Sequence, residues 1–282
     1  MKAIISIFAL FALSLSLISC GTKGTKNNTL KVGHSGGYLS AAVYAADTDA
    51  DLQQFRVSSD IAYALLSGSL DAGFVDADRL PALALLDGFN KLIVMGKVTY
   101  PYGATLVVRK GLNVRLNELN GLTVAASAPD CKLLKAFVAD AERLGADLSD
   151  VKYKYITFDA MLPALEAGTV DAVIIKGTYS VFALYEGHIV LYQNWEVEPG
   201  DGCCPAVVDQ IALVLLVRND KTGKAKKFIN ALISAQSLAP DELRRAVTDN
   251  TAIPLKILQE QPVPEFSVAD NKLTKTLIGH QH

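Results

Sequence analysis

The pattern Ala-Leu-x-x-Gly-x-x-Asp-Ala occurs twice in this chain, and the two copies lie 100 residues apart. The first copy spans residues 64–72 and the second spans residues 164–172. An apolar run follows each copy, so the pattern predicts a helix end, a glycine stop, a tight turn and a buried strand. Glycine suits the stop because the residue after a helix often needs a positive φ angle. Two copies predict two similar α/β lobes, and a cleft between lobes is a common site for small ligands.

The composition fits a globular protein and excludes some partners. The chain has 282 residues, of which 50% are hydrophobic, enough for one or two cores. Its net charge is −2 at pH 7. A nucleic-acid partner is not expected, because binding to nucleic acid usually needs a basic stripe. Beyond the N-terminal apolar run, no segment is long and apolar enough to predict a membrane span.

The N-terminal residues predict export and a lipid anchor. Lys2 precedes an apolar run, which is typical of a secretion signal over residues 1–19. The run ends in Leu17-Ile18-Ser19-Cys20-Gly21, which resembles a bacterial lipobox with Cys20 as the lipidated residue. Residues 20–29 lack large apolar side chains and predict a flexible tether. We therefore expect an extracytoplasmic protein that is held by lipid at the bacterial cell membrane or the outer membrane.

Predicted strands and helices alternate along the rest of the chain. Such alternation predicts mostly parallel sheets covered on both faces, with ligands bound beyond the carboxyl ends of the strands. The predicted strands cover residues 30–33, 55–57, 72–75, 91–98, 105–109, 122–126, 151–157, 171–175, 189–192 and 211–217. The predicted helices cover residues 38–46, 58–66, 77–86, 116–119, 127–144, 158–167, 178–186, 221–237 and 241–248.

Several motifs in this order resemble a known family over nearly all of residues 30–249. They are the lipobox, the two copies of the repeat, and Leu106-Val107-Val108-Arg109-Lys110-Gly111 followed by Leu119-Asn120-Gly121-Leu122-Thr123-Val124-Ala125. Together they resemble the extracytoplasmic solute-binding proteins of ABC importers, in the group that includes nitrate, taurine and aliphatic sulfonate binders. The segment after the first predicted helix, from Ala45 to Phe55, is shorter than in many relatives, so we expect one wall of the cleft to differ from theirs.

The resemblance implies a fold and a function. The implied fold is α/β, with two Rossmann-like lobes joined by two crossings around a ligand cleft, as in type II periplasmic binding proteins. We expect lobe 1 over residues 30–107 and 206–282, and lobe 2 over residues 108–205. The implied function is capture of a small solute by lobe closure and its delivery to a permease and its ATPase. The predicted helix starts favour an anionic group on that solute. We expect a monomer without a cofactor and without enzyme activity.

The turn after each lobe's first strand supplies the first candidate ligand residues. His34, Ser35 and Gly36 end the first strand, and the equivalent turn of lobe 2 contains Ser127. Backbone N–H groups at a helix start bind anions well, and the resemblance implies that both turns face the cleft. Alternatively, the serines are only helix caps. The further candidates at helix starts are Ser58 and Asp130.

Residues after the repeat-associated strands supply the second group of candidates. Asp76 follows the strand of the first copy, and Lys176 occupies the corresponding position after the second. The two side chains could bind a zwitterion, form a bridge that closes the lobes, or remain solvated. Thr178 and Tyr179 lie just beyond Lys176 and are also candidates. Near the crossing, Tyr100 and Tyr102 could stack on a ring, although hinge packing is favoured.

The cysteines allow two interpretations. Cys131, Cys203 and Cys204 remain if Cys20 is lipidated. One disulfide between Cys131 and either neighbour would close the polar loop. Alternatively, Cys131, Cys204 and His34 could bind a soft metal.

Two enzyme alternatives are weaker than the binding function. Gly33-His34-Ser35-Gly36-Gly37 matches the G-x-S-x-G pattern of serine hydrolases, but it lies on the first strand. Cys203 and Cys204 loosely resemble a cysteine-rich stretch in enzymes of this fold that are related to thiamine-pyrimidine biosynthesis. Export of the chain opposes that alternative, because biosynthesis is normally cytoplasmic.

Overall fold

Two separate β-sheets organise the chain, and helices cover both of them. The structure, a computed structural model, describes residues 29–56, 58–100, 103–194, 196–197, 210–270 and 272–279. Strands and helices alternate along most of these residues, as the sequence predicts. The α/β fold with two lobes is confirmed.

Six strands form the sheet of the first lobe. They are β1 (Lys31–His34), β2 (Asp51–Gln54), β3 (Ala72–Asp76), β4 (Leu92–Tyr100), β10 (Gln210–Arg218) and β11 (Glu265–Val268), in the order β11-β4-β10-β3-β1-β2. The helices of this lobe are α1 (Ala41–Ala45), α2 (Ser58–Ser67), α3 (Leu80–Leu83), α7 (Thr222–Gln236), α8 (Pro240–Asn250), α9 (Leu255–Gln259) and α10 (Leu273–Gly279). Buried apolar clusters around Phe74 and around Ile61 cover the two faces of the sheet.

Five strands form the sheet of the second lobe. They are β5 (Ala104–Val108), β6 (Thr123–Ala126), β7 (Lys152–Tyr155), β8 (Ala172–Lys176) and β9 (Ile189–Gln193), in the order β7-β6-β8-β5-β9. The helices of this lobe are α4 (Lys132–Arg143), α5 (Phe158–Glu166) and α6 (Gly177–Tyr185). Phe137 and Met161 lie fully buried on opposite faces of this sheet. Its central strand β8 is therefore buried along its whole length.

The expectation of mostly parallel sheets is wrong. In lobe 1, β1 pairs in parallel with β2 and β3, whereas β10 pairs in antiparallel fashion with β3 and β4, and β11 does so with β4. In lobe 2, β6 pairs in parallel with β7 and β8, whereas β5 pairs in antiparallel fashion with β8 and β9. The reason is that β5 and β10 each enter a sheet from the other lobe. They arrive at the edge where the parallel strands end, and they run back against those strands.

The chain passes from the first sheet to the second at the first crossing, between Tyr100 and Ala104. Strand β5 pairs with the second sheet, so this change lies a few residues before the boundary expected at residue 107. Asn194 closes the crossing from the other side, because its backbone N–H donates to the carbonyl of Ala104 at 3.0 Å. A Cβ atom at Gly103 would lie 1.4 Å from the Asn194 Oδ1 atom, so only glycine fits there. The lobe boundaries 30–107 with 206–282 and 108–205 remain a prediction.

The two copies of the repeat have the same local structure. Gly68 and Gly168 end their helices with φ angles of 80° and 67°, as predicted. The carboxylate of Asp71 accepts the backbone N–H of Lys31 at 3.1 Å, and Asp171 accepts that of Thr123 at 3.0 Å. Each aspartate therefore ties the start of its own strand to the start of the neighbouring parallel strand.

Several predicted elements shift, and some were missed. The strand expected at residues 55–57 lies at Asp51–Gln54, where it forms the edge of the first sheet. The short helix expected at residues 116–119 is a turn. Elements α9, β11 and α10 were not predicted. Within the described ranges, no helix combines the length and apolarity needed to cross a bilayer.

Replacing Asp171 with alanine should destabilise the second lobe. The change removes the acceptor of the Thr123 N–H and the partner of Arg109 at 3.6 Å. We expect the free energy of unfolding in urea to fall by about 1–3 kcal/mol, the usual cost of an unsatisfied, partly buried donor. Asp87→Ala is the control because Asp87 is exposed and bonds to no described residue. An equal loss in both variants would contradict the assigned role of Asp171.

Candidate functional site

A cleft lies between the lobes, at the carboxyl ends of their parallel strands. It has an inner part of about 160 Å³ and an outer part of about 770 Å³. Six residues line both parts: Ser35, Arg56, Asp76, Lys176, Tyr179 and Phe182. The ends of β1, β2 and β3 in the first sheet and the end of β8 in the second sheet all lie at this cleft. A molecule bound here would therefore contact both lobes.

The turn after β1 requires glycine at two positions. Gly36 and Gly37 have φ angles of 75° and 68°, a region that L side chains rarely adopt. A Cβ atom at Gly37 would approach the ring of Phe182 in lobe 2 to 2.9 Å. Glycine at this position therefore lets the two lobes come into close contact beside the cleft.

His34 lies behind this turn, inside lobe 1. Its side chain is buried, and its Nδ1 atom accepts the backbone N–H of Gly36 at 3.2 Å. Tyr44 packs edge-on against the ring at 5.5 Å. Burial lowers the pKa of His34 from its ordinary value, so the neutral ring that can accept this hydrogen bond is favoured. The imidazole does not line the cleft, and it supports the glycine turn instead.

Asp76 contributes a carboxylate to both parts of the cleft. The Ser58 hydroxyl, at the start of α2, donates to it at 2.9 Å. Burial raises the pKa of Asp76, and the negative charge of Asp78 raises it further. Lys176, Ser58 and Arg79 oppose this rise. The site therefore holds a partly desolvated carboxyl group that is costly to keep charged.

Lys176 connects the two lobes. Its ammonium group forms an ion pair with Asp78 of lobe 1, and it lies 5.1 Å from the centre of the Phe158 ring. The lysine side chain is only 11% exposed, whereas that of Asp78 is 50% exposed. The predicted bridge between the lobes exists, but it joins Lys176 to Asp78 rather than to Asp76.

Aromatic rings of lobe 2 form one wall of the cleft. Phe158 and Tyr179 are nearly parallel, with their centroids 6.3 Å apart. Phe182 lies one turn beyond Tyr179 on α6 and is 39% exposed. Tyr38 of lobe 1 closes the inner part from the opposite side.

Charges of both signs line the cleft, and the negative ones are the carboxylates of Asp76 and Glu186. Arg56 and Arg79 are exposed lining residues, and neither forms an ion pair within the described part of the chain. The N-termini of α2, α5 and α6 also meet here, since Ser58, Phe158 and Lys176 line the outer part. Helix N-termini carry partial positive charge, so this arrangement favours an anion.

The structure brings together some of the predicted site residues and separates others. The predicted residues that line the cleft are Ser35, Gly36, Ser58, Asp76, Lys176 and Tyr179. Ser127 and Asp130 lie before α4 and do not line it. Thr178 is in the first turn of α6, and its side chain is not among those described.

Tyr100 packs in the interface between the lobes. It is buried, contacts Tyr38 edge-on at 6.1 Å and donates a hydrogen bond to Gln261 Oε1 at 3.3 Å. This placement agrees with hinge packing. Tyr102 lies outside the described residues, as does Cys20.

The cysteine alternatives remain open. Cys131 is half-buried before α4 and forms no disulfide with a described residue. Cys203 and Cys204 lie outside the described residues. Among the residues described, no group of His, Cys, Asp and Glu side chains is arranged to hold a metal ion. Within the same ranges, no histidine is hydrogen-bonded to Ser35, which would be the nucleophile of a hydrolase.

Several charged and aromatic residues that line the cleft were not predicted from the sequence. Arg56 and Phe158 each follow the carboxyl end of a parallel strand, β2 and β7, so the rule that identified Asp76 could also have identified them. Phe182 was detectable as the residue three positions after Tyr179 on the same helix face. Arg79 and Glu186 carry no comparable signal, because their placement depends on loop geometry and on helix length.

The two-lobed fold is similar to that of solved substrate-binding proteins of ABC transporters. The alkanesulfonate-binding protein SsuA from Xanthomonas axonopodis pv. citri, solved with MOPS, has a TM-score of 0.58 and 16% identity, over 88% of this chain and 89% of its own. The ligand binding component of an ABC-type import system from Staphylococcus aureus, solved with zinc bound, has a TM-score of 0.60 and 15% identity, over 90% and 92%. The periplasmic nitrate-binding protein NrtA from Synechocystis PCC 6803 has a TM-score of 0.55 and 12% identity, over 81% and 68%.

At these identities, the likeness establishes the fold. No protein-family model matches the chain, and its sequence matches no curated protein. The resemblance inferred from the motifs is therefore confirmed at the level of the two-lobed fold.

Asp76→Asn should change how stability depends on pH. Because the pKa of Asp76 is raised in the folded protein, the group contributes stability below its ordinary value of 3.8 and loses that contribution as pH rises through the folded-state pKa. Asparagine still accepts the Ser58 hydrogen bond but carries no charge. We expect the variant to unfold at a higher temperature than the wild type at neutral pH. This difference in unfolding temperature should shrink as the pH is lowered. Asp87→Asn is the control, and a difference that widens in acid would contradict the assignment.

Proposed function

We propose that this protein is the solute-binding component of an ABC importer and that it captures a small anionic solute outside the cytoplasm. The observation that carries the proposal is the meeting of three helix N-termini, at Ser58, Phe158 and Lys176, in one cleft between the lobes. Arg56 and Arg79 add full positive charges at the same place. Converging positive charge in a cleft concentrates anions and lowers the cost of desolvating them.

Lobe closure is the proposed mechanism of capture. Lys176 of lobe 2 pairs with Asp78 of lobe 1, and Val181 of α6 is buried in a cluster formed largely by lobe 1 residues. These contacts support a closed arrangement in which both lobes enclose the solute. A solute that contacts both lobes binds this arrangement more tightly than an open one, and it shifts the population toward closure.

The proposed partners follow from this role. A permease and its ATPase would receive the solute from the closed protein, as expected for the class to which the similar solved structures belong. We propose that lipid on Cys20 and the tether at residues 20–29 hold the protein at a membrane, and that it acts as a monomer. The lipobox-like run before Cys20 supports the anchor.

Thermal unfolding with a panel of solutes tests the proposal. The panel contains nitrate, sulfonates, pyrimidines, amino acids and divalent metals. We expect one or more anions to stabilise the purified protein, by about 2.7 kcal/mol at a concentration one hundred times the dissociation constant. Arg56→Gln should weaken this effect, whereas Arg245→Gln, an exposed change on α8 away from the cleft, should not.

Two results would contradict the proposal. One is stabilisation by metals or neutral solutes but by no anion. The other is equal anion binding by the wild type and the Arg56→Gln variant, because the charge at the cleft would then have no role.

A further inference from the structure

The inner part of the cleft has the size of one aromatic ring. Its volume is about 160 Å³, and an apolar protein cavity of about 150 Å³ accommodates one benzene molecule. The rings of Tyr38, Tyr179 and Phe182 line it, together with the apolar side chains of Leu39 and Ala212. Ser35, Arg56, Asp76 and Lys176 supply the polar part of the lining, so the inner part offers aromatic contacts and charged groups together.

The ring of Phe182 lines the cleft and remains partly exposed to solvent. It is 39% exposed, whereas its neighbours Val181 and Ala183 on α6 are completely buried. The glycine at position 37 leaves room for its ring beside the turn of lobe 1, where a Cβ atom would lie 2.9 Å away. An aromatic side chain left exposed in a cleft is stabilised when a ligand covers it.

A free cation lies beside these rings. Arg56 lines both parts of the cleft and has no ion-pair partner within the described ranges. Lys176, by contrast, is paired with Asp78 and lies over the Phe158 ring, so its charge is already balanced. The planar guanidinium of arginine matches carboxylate and sulfonate groups with two parallel hydrogen bonds. Arg56 can therefore bind an acidic group attached to a ring in the inner part.

We propose that the solute is an anion with a single aromatic ring, an aryl carboxylate or aryl sulfonate, whose ring occupies the inner part and whose acidic group binds Arg56. This inference rests on the proposed function, because it names the class of solute for the same cleft.

Calorimetric titration with matched probes tests the solute class. Benzoate is compared with cyclohexanecarboxylate, which keeps the acid and the ring size but lacks aromaticity. Benzenesulfonate is compared in the same way with cyclohexanesulfonate, and methanesulfonate is included as the acid without a ring. We expect each aromatic probe to bind about three- to tenfold more tightly than its partner, the range typical of aromatic contacts.

Two variants locate the ring. Phe182→Leu keeps an apolar side chain but removes the aromatic face, and it should remove most of the preference for benzoate. Tyr185→Leu is the matched control, because Tyr185 is an exposed aromatic residue on the same helix that does not line the cleft. The preference should survive in this control.

The outcomes separate this inference from the proposed function. Tight binding of methanesulfonate or cyclohexanecarboxylate, with weaker or no binding of the aromatic probes, would overturn the aromatic class and leave solute capture standing. Failure of both aromatic probes to bind at millimolar concentrations would also overturn it. If an aromatic probe binds without changing the separation of the lobes, the aromatic class of solute would be supported and capture by lobe closure would be contradicted.

Discussion

The hydrogen bond between an aspartate carboxylate and the first N–H of a neighbouring strand determines the geometry on which the cleft depends. Asp71 and Asp171 make this bond in lobe 1 and lobe 2, respectively. Each bond ties two parallel strands together at their starts, and five residues later the strands end at Asp76 and Lys176. A local interaction repeated once in the sequence thus brings an acidic and a basic residue to the same cleft.

Several groups in the cleft are held in arrangements that lower the stability of the fold. Asp76 is held where burial raises its pKa, and Lys176 is nearly buried and depends on Asp78 across the lobes. Phe182 exposes an aromatic ring that a stable core would cover. Such losses of stability are typical of binding sites. Under the proposed function, a solute bound in the closed arrangement would offset them. Under the proposed function, the same groups would link solute binding to closure.

The sequence predicts the parts of the site that follow from strand ends and the repeat. Asp76 and Lys176 were found because the two copies place them at equivalent positions. Arg56 was missed because the apolar residue Phe55 suggested a strand there, whereas the real strand β2 is polar and lies at the sheet edge. Ser127 was predicted by analogy with Ser35, but the symmetry of the lobes does not extend to that turn. The antiparallel strands β5 and β10 could not be inferred from alternation alone, since their direction depends on the crossings between lobes.

Small-angle X-ray scattering with and without a bound anion tests the central claim most directly. The claim is that the two lobes close on an anionic solute between them. With nitrate, methanesulfonate or benzenesulfonate at a concentration that saturates binding, we predict a smaller radius of gyration than in the solute-free protein. The bound protein should then match the structure in which Lys176 of lobe 2 contacts Asp78 of lobe 1. A scattering curve that stays unchanged while calorimetry records binding would contradict the claim.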